Sequence, residues 1–164
     1  MEYTVAVDTT GLKSDITLMK SQLDTYIKKC LVASCKLIKS EAKKNHFFKS
    51  RTGTLERAIK YKVISQLQTG IIRIDKKEAP YGIYVHEGTG IYGPKGARYS
   101  IEPRNAKWLA FFWERQGSFV FSKKVMHPGS DDDQFLYNAL EDNIKNIDDI
   151  FKEGLHELIR GESK

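Results

Sequence analysis

The chain has 164 residues, of which 40% are hydrophobic and 29% charged, and carries a net charge of +6. Those values fit one ordinary globular domain with a single core. No stretch approaches the roughly 18 apolar residues of a membrane span, and the opening Met-Glu-Tyr-Thr-Val lacks the basic and apolar regions of a signal peptide, so neither a membrane partner nor export is expected.

In chain order, Leu12, Ile16, Met19, Leu23, Ile27, Leu31, Ile38 and Ala42 recur at helical spacing. They predict an amphipathic helix over 11–44, long for so small a domain, with capping candidates in Asp8-Thr9-Thr10-Gly11 and a possible break near Lys43-Lys44-Asn45. Cys30 and Cys35 share this helix. They match neither a Cys-x-x-Cys nor a zinc spacing, and on one helix they sit more than about 7 Å apart, too far to bridge. Reduced thiols of this kind fit synthesis in a cytosol.

Charge is uneven along the chain. Between residues 28 and 62 lie Lys28, Lys29, Lys36, Lys39, Lys43, Lys44, Lys49, Arg51, Arg57, Lys60 and Lys62 against Glu41 and Glu56. One reading is a basic nucleic-acid-binding module. The plainer one, preferred because no nucleic-acid-binding motif accompanies the stretch, is a solvated helix face followed by a basic loop.

After the polar loop 49–54 the period changes to two. Ile59, Tyr61 and Val63 share one face of a strand, Gln68-Thr69-Gly70 marks a turn, and Ile71, Ile72, Arg73 and Ile74 return. Residues 81–87 read equally as a helical turn or a strand. A glycine-rich loop occupies 88–97, strands are expected over 98–103, 108–113 and 118–125, and a turn at 114–117. Ser130 with Asp133 three residues on has the form of a capping box. Phe135, Leu136, Ala139, Leu140, Ile144, Ile147 and Phe151 then trace a helix to about Arg160, which Gly161 stops. The expected fold is α+β: a mostly antiparallel sheet of about four to five strands against a long N-terminal and a C-terminal helix, all one domain. Core candidates are Leu23, Ile27, Ile59, Val63, Ile72, Ile74, Phe135, Leu136, Leu140 and Ile144.

Catalytic patterns fail on spacing. Gly88-Thr89-Gly90-Ile91-Tyr92-Gly93 is a literal G-x-G-x-x-G, but it runs on through Pro94-Lys95-Gly96 toward a strand, whereas dinucleotide binding needs a helix there. His86-Glu87 and His156-Glu157 lack the second histidine of H-E-x-x-H. The acids Asp131, Asp132 and Asp133 beyond His127 read more simply as a helix start than as metal ligands. Trp108, Phe111, Phe112 and Trp113 could stack bases, although core and interface roles are commoner for such a run. No catalytic residue, metal or cofactor is expected.

Three segments carry a resemblance. They are Arg51-Thr52-Gly53-Thr54-Leu55-Glu56-Arg57-Ala58-Ile59, then Ala79-Pro80-Tyr81-Gly82-Ile83-Tyr84-Val85-His86-Glu87-Gly88-Thr89-Gly90 with Ile101-Glu102-Pro103 and Ala106-Lys107-Trp108-Leu109 after it. The third is Val125-Met126-His127-Pro128-Gly129-Ser130 followed by Phe135-Leu136-Tyr137-Asn138-Ala139-Leu140. In order and spacing they resemble the tail-completion (head–tail joining) proteins of long-tailed bacteriophages. Gln134 and Asn138 stand where that family usually has proline, and Glu87 falls one position later than its usual acid. The resemblance implies a non-enzymatic neck protein of the virion, made in the host cytoplasm and assembled with itself into a ring, usually a hexamer. Its further partners would be head connector proteins, the tail tube protein and, in passage, DNA. The expected assembly elements are the loop with Tyr84, Glu87, Gly88, Thr89, Gly90, Gly93 and Gly96, free until it meets neighbours, and the turn His127-Pro128-Gly129.

Overall fold

The computed structural model describes residues 10–160, with side chains from residue 17. Asp8, Thr9 and Gly161, expected to flank helices, lie outside the described residues. The elements are α1 (Thr10–Lys44), α2 (Thr54–Ala58), β1 (Ile59–Ile64), β2 (Thr69–Ile74), α3 (Gly82–Glu87), β3 (Tyr99–Ile101), β4 (Leu109–Trp113), β5 (Ser118–Ser122), β6 (Val125–His127), α4 (Phe135–Glu141) and α5 (Ile144–Arg160). The fold is α+β. Among the described residues the six strands form three two-stranded ladders, β1–β2, β3–β6 and β4–β5, instead of one continuous sheet. The run 118–125 divides because Ser122 turns the chain: its Oγ donates to the Lys124 carbonyl at 2.7 Å and accepts the Lys124 N–H at 3.3 Å.

The residues gather into two compact units, each drawn from separate stretches. One holds α1, Ile59–Arg73 and the helices from Leu136 on; the other holds Asn45–Ala58 and Ile74–Phe135.

In the first unit α1 is unbroken over 35 residues and packs on β1 and α5. Cys30, Ser34, Cys35, Ile38 and Ala42 are its buried positions, and both thiols are free. Burial pushes the Cys35 thiol up. Against α5, Gly154 leaves space that the Tyr26 ring fills; a Cβ there would overlap the ring. The Tyr26 hydroxyl donates to the Phe151 carbonyl. Burial, followed by the Cys30 thiol beside it, pushes that phenol up to about 12. β1 and β2 are joined through the 3-10 turn Ser65–Leu67, closed by Gln68 in the left-handed region at φ 46°. So short a link permits only antiparallel pairing.

The single helix expected over 130–160 is two helices. Asn143, buried, makes the break: its Nδ2 donates to the Ala139 carbonyl at 3.0 Å and its N–H to Leu140 at 3.1 Å, tightening the end of α4. Its Oδ1 then accepts the Asn146 amide at 2.8 Å, at the start of α5. Among the core candidates Ile59 and Phe135 are buried, while Ile27, Val63, Ile72, Ile74 and Leu136 are half-buried. Leu23, Leu140 and Ile144 are exposed and do not belong to the core. Every residue of α1 from Thr17 to Thr25 is exposed, and Ala139 and Asn143 take the inward positions that Leu140 and Ile144 would need.

Candidate assembly surfaces

The second unit brings two of the resembling segments together as a backbone-to-backbone joint. The Thr89 N–H donates to the Ser130 carbonyl at 2.9 Å, and Ile91 N–H to the Pro128 carbonyl at 2.7 Å. In return Ser130 N–H donates to Thr89 Oγ1 at 2.9 Å. Such closeness requires glycine on both sides. A Cβ on Gly90 would lie 2.7 Å from the Gly129 Cα, and one on Gly129 would lie 2.8 Å from the Gly90 Cα. Both residues also have positive φ, 65° and 112°, where a side chain is disfavoured. The stretch 88–93, expected to be free, is therefore held, and Gly88 is buried. Gly96, exposed and with open space around it, sits beyond the joint.

Pairing of β3 with β6 continues the joint outward, with Tyr99 opposite His127. His127 Nδ1 accepts the Gly129 N–H at 3.0 Å and so fixes the His-Pro-Gly turn. Asp133 anchors the other side. Its N–H donates to the Val85 carbonyl at 3.0 Å, and its Oδ2 accepts the N–H groups of Phe47 and Phe48 at 2.6 and 2.7 Å. The acid expected to cap a helix instead ties down a loop that starts 86 residues earlier. Phe135 is fully buried, with its ring edge-on to Phe48 at 5.3 Å and to His86 at 5.1 Å. Burial holds the His86 imidazole below its ordinary value, against the opposing pull of Glu87, Asp133 and Asp132.

Residues 81–87 resolve as the helix α3, with Tyr84 and Glu87 exposed. α2, which sequence reading missed, begins just after Gly53 of the first resembling segment. Arg57 folds back to the Thr52 carbonyl at 2.9 Å and to Thr54 Oγ1 at 3.1 Å. Glu56 is raised by burial, yet hydrogen bonds from Ser50 and its own backbone, with the charges of His46 and Arg57, hold it below the usual carboxylate value. A cleft of about 330 Å³ borders this loop, with Phe48, Arg51, Thr54, Glu56, Tyr81 and Val85 in its lining, and none of His86, Glu87 or His127 lines it. Among the described residues no three His, Cys, Asp or Glu side chains cluster as metal ligands.

The hairpin β4–β5 has an unusual exposed face. Phe112 pairs with Phe119 and Ala110 with Phe121 on one side, while Leu109, Phe111 and Val120 are half-buried on the other. The first side would ordinarily be polar. Here Phe119 is 68% exposed, Phe121 67%, Phe112 54% and Trp108 43%. Phe112 and Phe119 meet edge-to-face at 5.6 Å, and Lys123 lies 5.1 Å over the Trp108 ring. The aromatic run read as core or interface thus divides between the two faces.

Within the basic stretch Lys28, Lys29, Lys36, Lys44, Lys49, Arg51, Arg57 and Lys62 are exposed. Lys39 is half-buried, 5.7 Å over the Tyr61 ring. No helix among the described residues is long and apolar enough to cross a membrane. No protein-family model, curated protein or solved structure matches the chain.

Proposed function

We propose that this chain is a structural protein of a long-tailed phage neck, completing the tail and joining it to the head as one subunit of a ring. Head connector proteins and the tail tube protein would be its neighbours, and DNA would pass through the ring. The observation that carries the reading is the joint itself. The Gly-Thr-Gly and His-Pro-Gly-Ser strings, about forty residues apart, are each a common turn sequence alone, yet they hydrogen-bond to one another. A resemblance spread over separate strings gains weight when those strings form one substructure. Exposed aromatic surface on the adjoining hairpin suits a protein that works by contact, because contiguous apolar patches mark interaction sites.

The test is genetic and visual. Virions assembled without this chain should accumulate as filled heads and separate tails, visible by electron microscopy, and supplying the protein should join them. Infectious, joined particles formed in its absence would refute the reading.

A further inference from the structure

The aromatic face of β4–β5 amounts to an apolar surface on the order of 500 Å² from its four exposed rings, at the upper end of what a lone soluble chain leaves contiguous. The charged residues of the hairpin and its flanks are mostly basic: Arg104, Lys107, Arg115 and Lys123 are exposed against Glu114 in the turn, and Lys124 is paired with Glu102 at 3.1 Å. A stable protein contact needs about 800 Å² per partner, of which the four rings alone give more than half.

The same chain carries a surface of the opposite character. Tyr137 and Leu140 on α4 and Ile144 at the start of α5 are exposed at three- and four-residue spacing. Glu141, Asp142, Asp148 and Asp149 lie exposed along the same two helices and the link between them against the bases Lys145 and Lys152, the latter paired with Asp148, so the stretch stays net acidic. One surface is an aromatic centre on a mostly basic hairpin, the other an aliphatic and tyrosine centre on a net acidic stretch. We infer that the occupant of the hairpin is a second copy of this chain, received on the exposed face of α4 and the α5 start. Opposite charges set the pairing and its register, and the apolar centres supply the affinity. Because the two surfaces differ, a pair keeps two surfaces free, the helical face of one copy and the hairpin of the other. Such heterologous contacts propagate into a closed ring or an open chain. The inference deepens the ring reading above and rests on it for closure.

Sedimentation velocity of the full chain and three sets of variants tests this. Wild type should self-associate, and less so as salt rises. Phe112→Glu/Phe119→Glu and Leu140→Glu/Ile144→Glu, each at exposed positions, should be monomeric alone. Mixed in equal amounts they should form a one-to-one pair and nothing larger, since only one intact contact remains. Lys107→Glu/Lys123→Glu should weaken assembly at least tenfold, and Glu141→Lys/Asp142→Lys in the other copy should restore it. A wild type that stays monomeric, a variant that keeps the wild-type assembly, or a failure of both the mixture and the charge swap overturns the contact. Variants that keep a ring-sized assembly would sink this contact while leaving the ring reading intact. A contact that behaves as stated beside virions that join without the protein would sink the neck reading alone.

Discussion

Gly90 and Gly129 owe their identity to each other. Alanine at either position incurs the left-handed backbone cost of about 1–2 kcal/mol. It also meets main-chain atoms that cannot rotate away. Gly90→Ala and Gly129→Ala should each lose roughly 3 kcal/mol or more in urea unfolding. Gly96→Ala, at φ 57° with nothing within 4 Å, should lose only about 1 kcal/mol; equal losses at all three would show that backbone angle alone matters. Titration separates two further residues. His86 is depressed chiefly by burial from 6.5, so the unfolded chain takes up that proton first. Stability is therefore full above about pH 6.5, falls as pH drops below it, and levels once the folded imidazole is charged as well. Glu56 is also depressed, from 4.5, so its contribution is complete above that value and lost as pH falls through its lower folded one. Thermal melts from neutral to acid pH should show both declines. His86→Gln should remove the upper one and leave the lower.

At the scale of elements, α1 and α5 are held at a point where a helix rule is broken on purpose. Gly154 weakens α5 by about 1 kcal/mol relative to alanine, yet Gly154→Ala should destabilise by about 1–2 kcal/mol, because the added carbon overlaps a ring pinned by its own hydroxyl. In a Tyr26→Ala background the loss should vanish, a coupling that a double-mutant unfolding cycle measures. Elements with a clean period were legible in advance: α1 from its apolar stripe, and β1, β4 and β5 from alternation or aromatic content. α2 was not, since five residues are too few to show a period. Nor was the α4–α5 break, because the apolar stripe of 135–151 runs straight across Asn143. What ends the helix is one buried asparagine whose side chain bonds two neighbours and whose backbone N–H bonds a third, and composition does not reveal that. Which face of β4–β5 lies exposed was not legible either, as aromatic residues on both faces make alternation uninformative.

For the whole molecule, the α+β class and the succession of long helix, strands and C-terminal helical region were readable, while the way distant strings meet was not. Nothing in the spacing of Gly-Thr-Gly and His-Pro-Gly says that they hydrogen-bond to each other; only their joint appearance in the resemblance tied them to one function. The loop containing the first string accordingly read as free. In the second unit the long-range pairings are nested. β4–β5 closes first in sequence distance, β3–β6 encloses it, Thr89 and Ile91 meet Pro128 and Ser130 outside that, and Val85, then Phe47 and Phe48, reach Asp133 outermost. Each inner pairing shortens the span that the next must close. Once β3–β6 has formed, the 41-residue separation of Thr89 from Ser130 shrinks to about a dozen free residues, saving about 1 kcal/mol of closure entropy. Folding of this unit can therefore proceed like a zip from the hairpin outward, with the joint and its aspartate anchor as the last fasteners, so the surface that presents the aromatic rings is also where assembly of the unit begins.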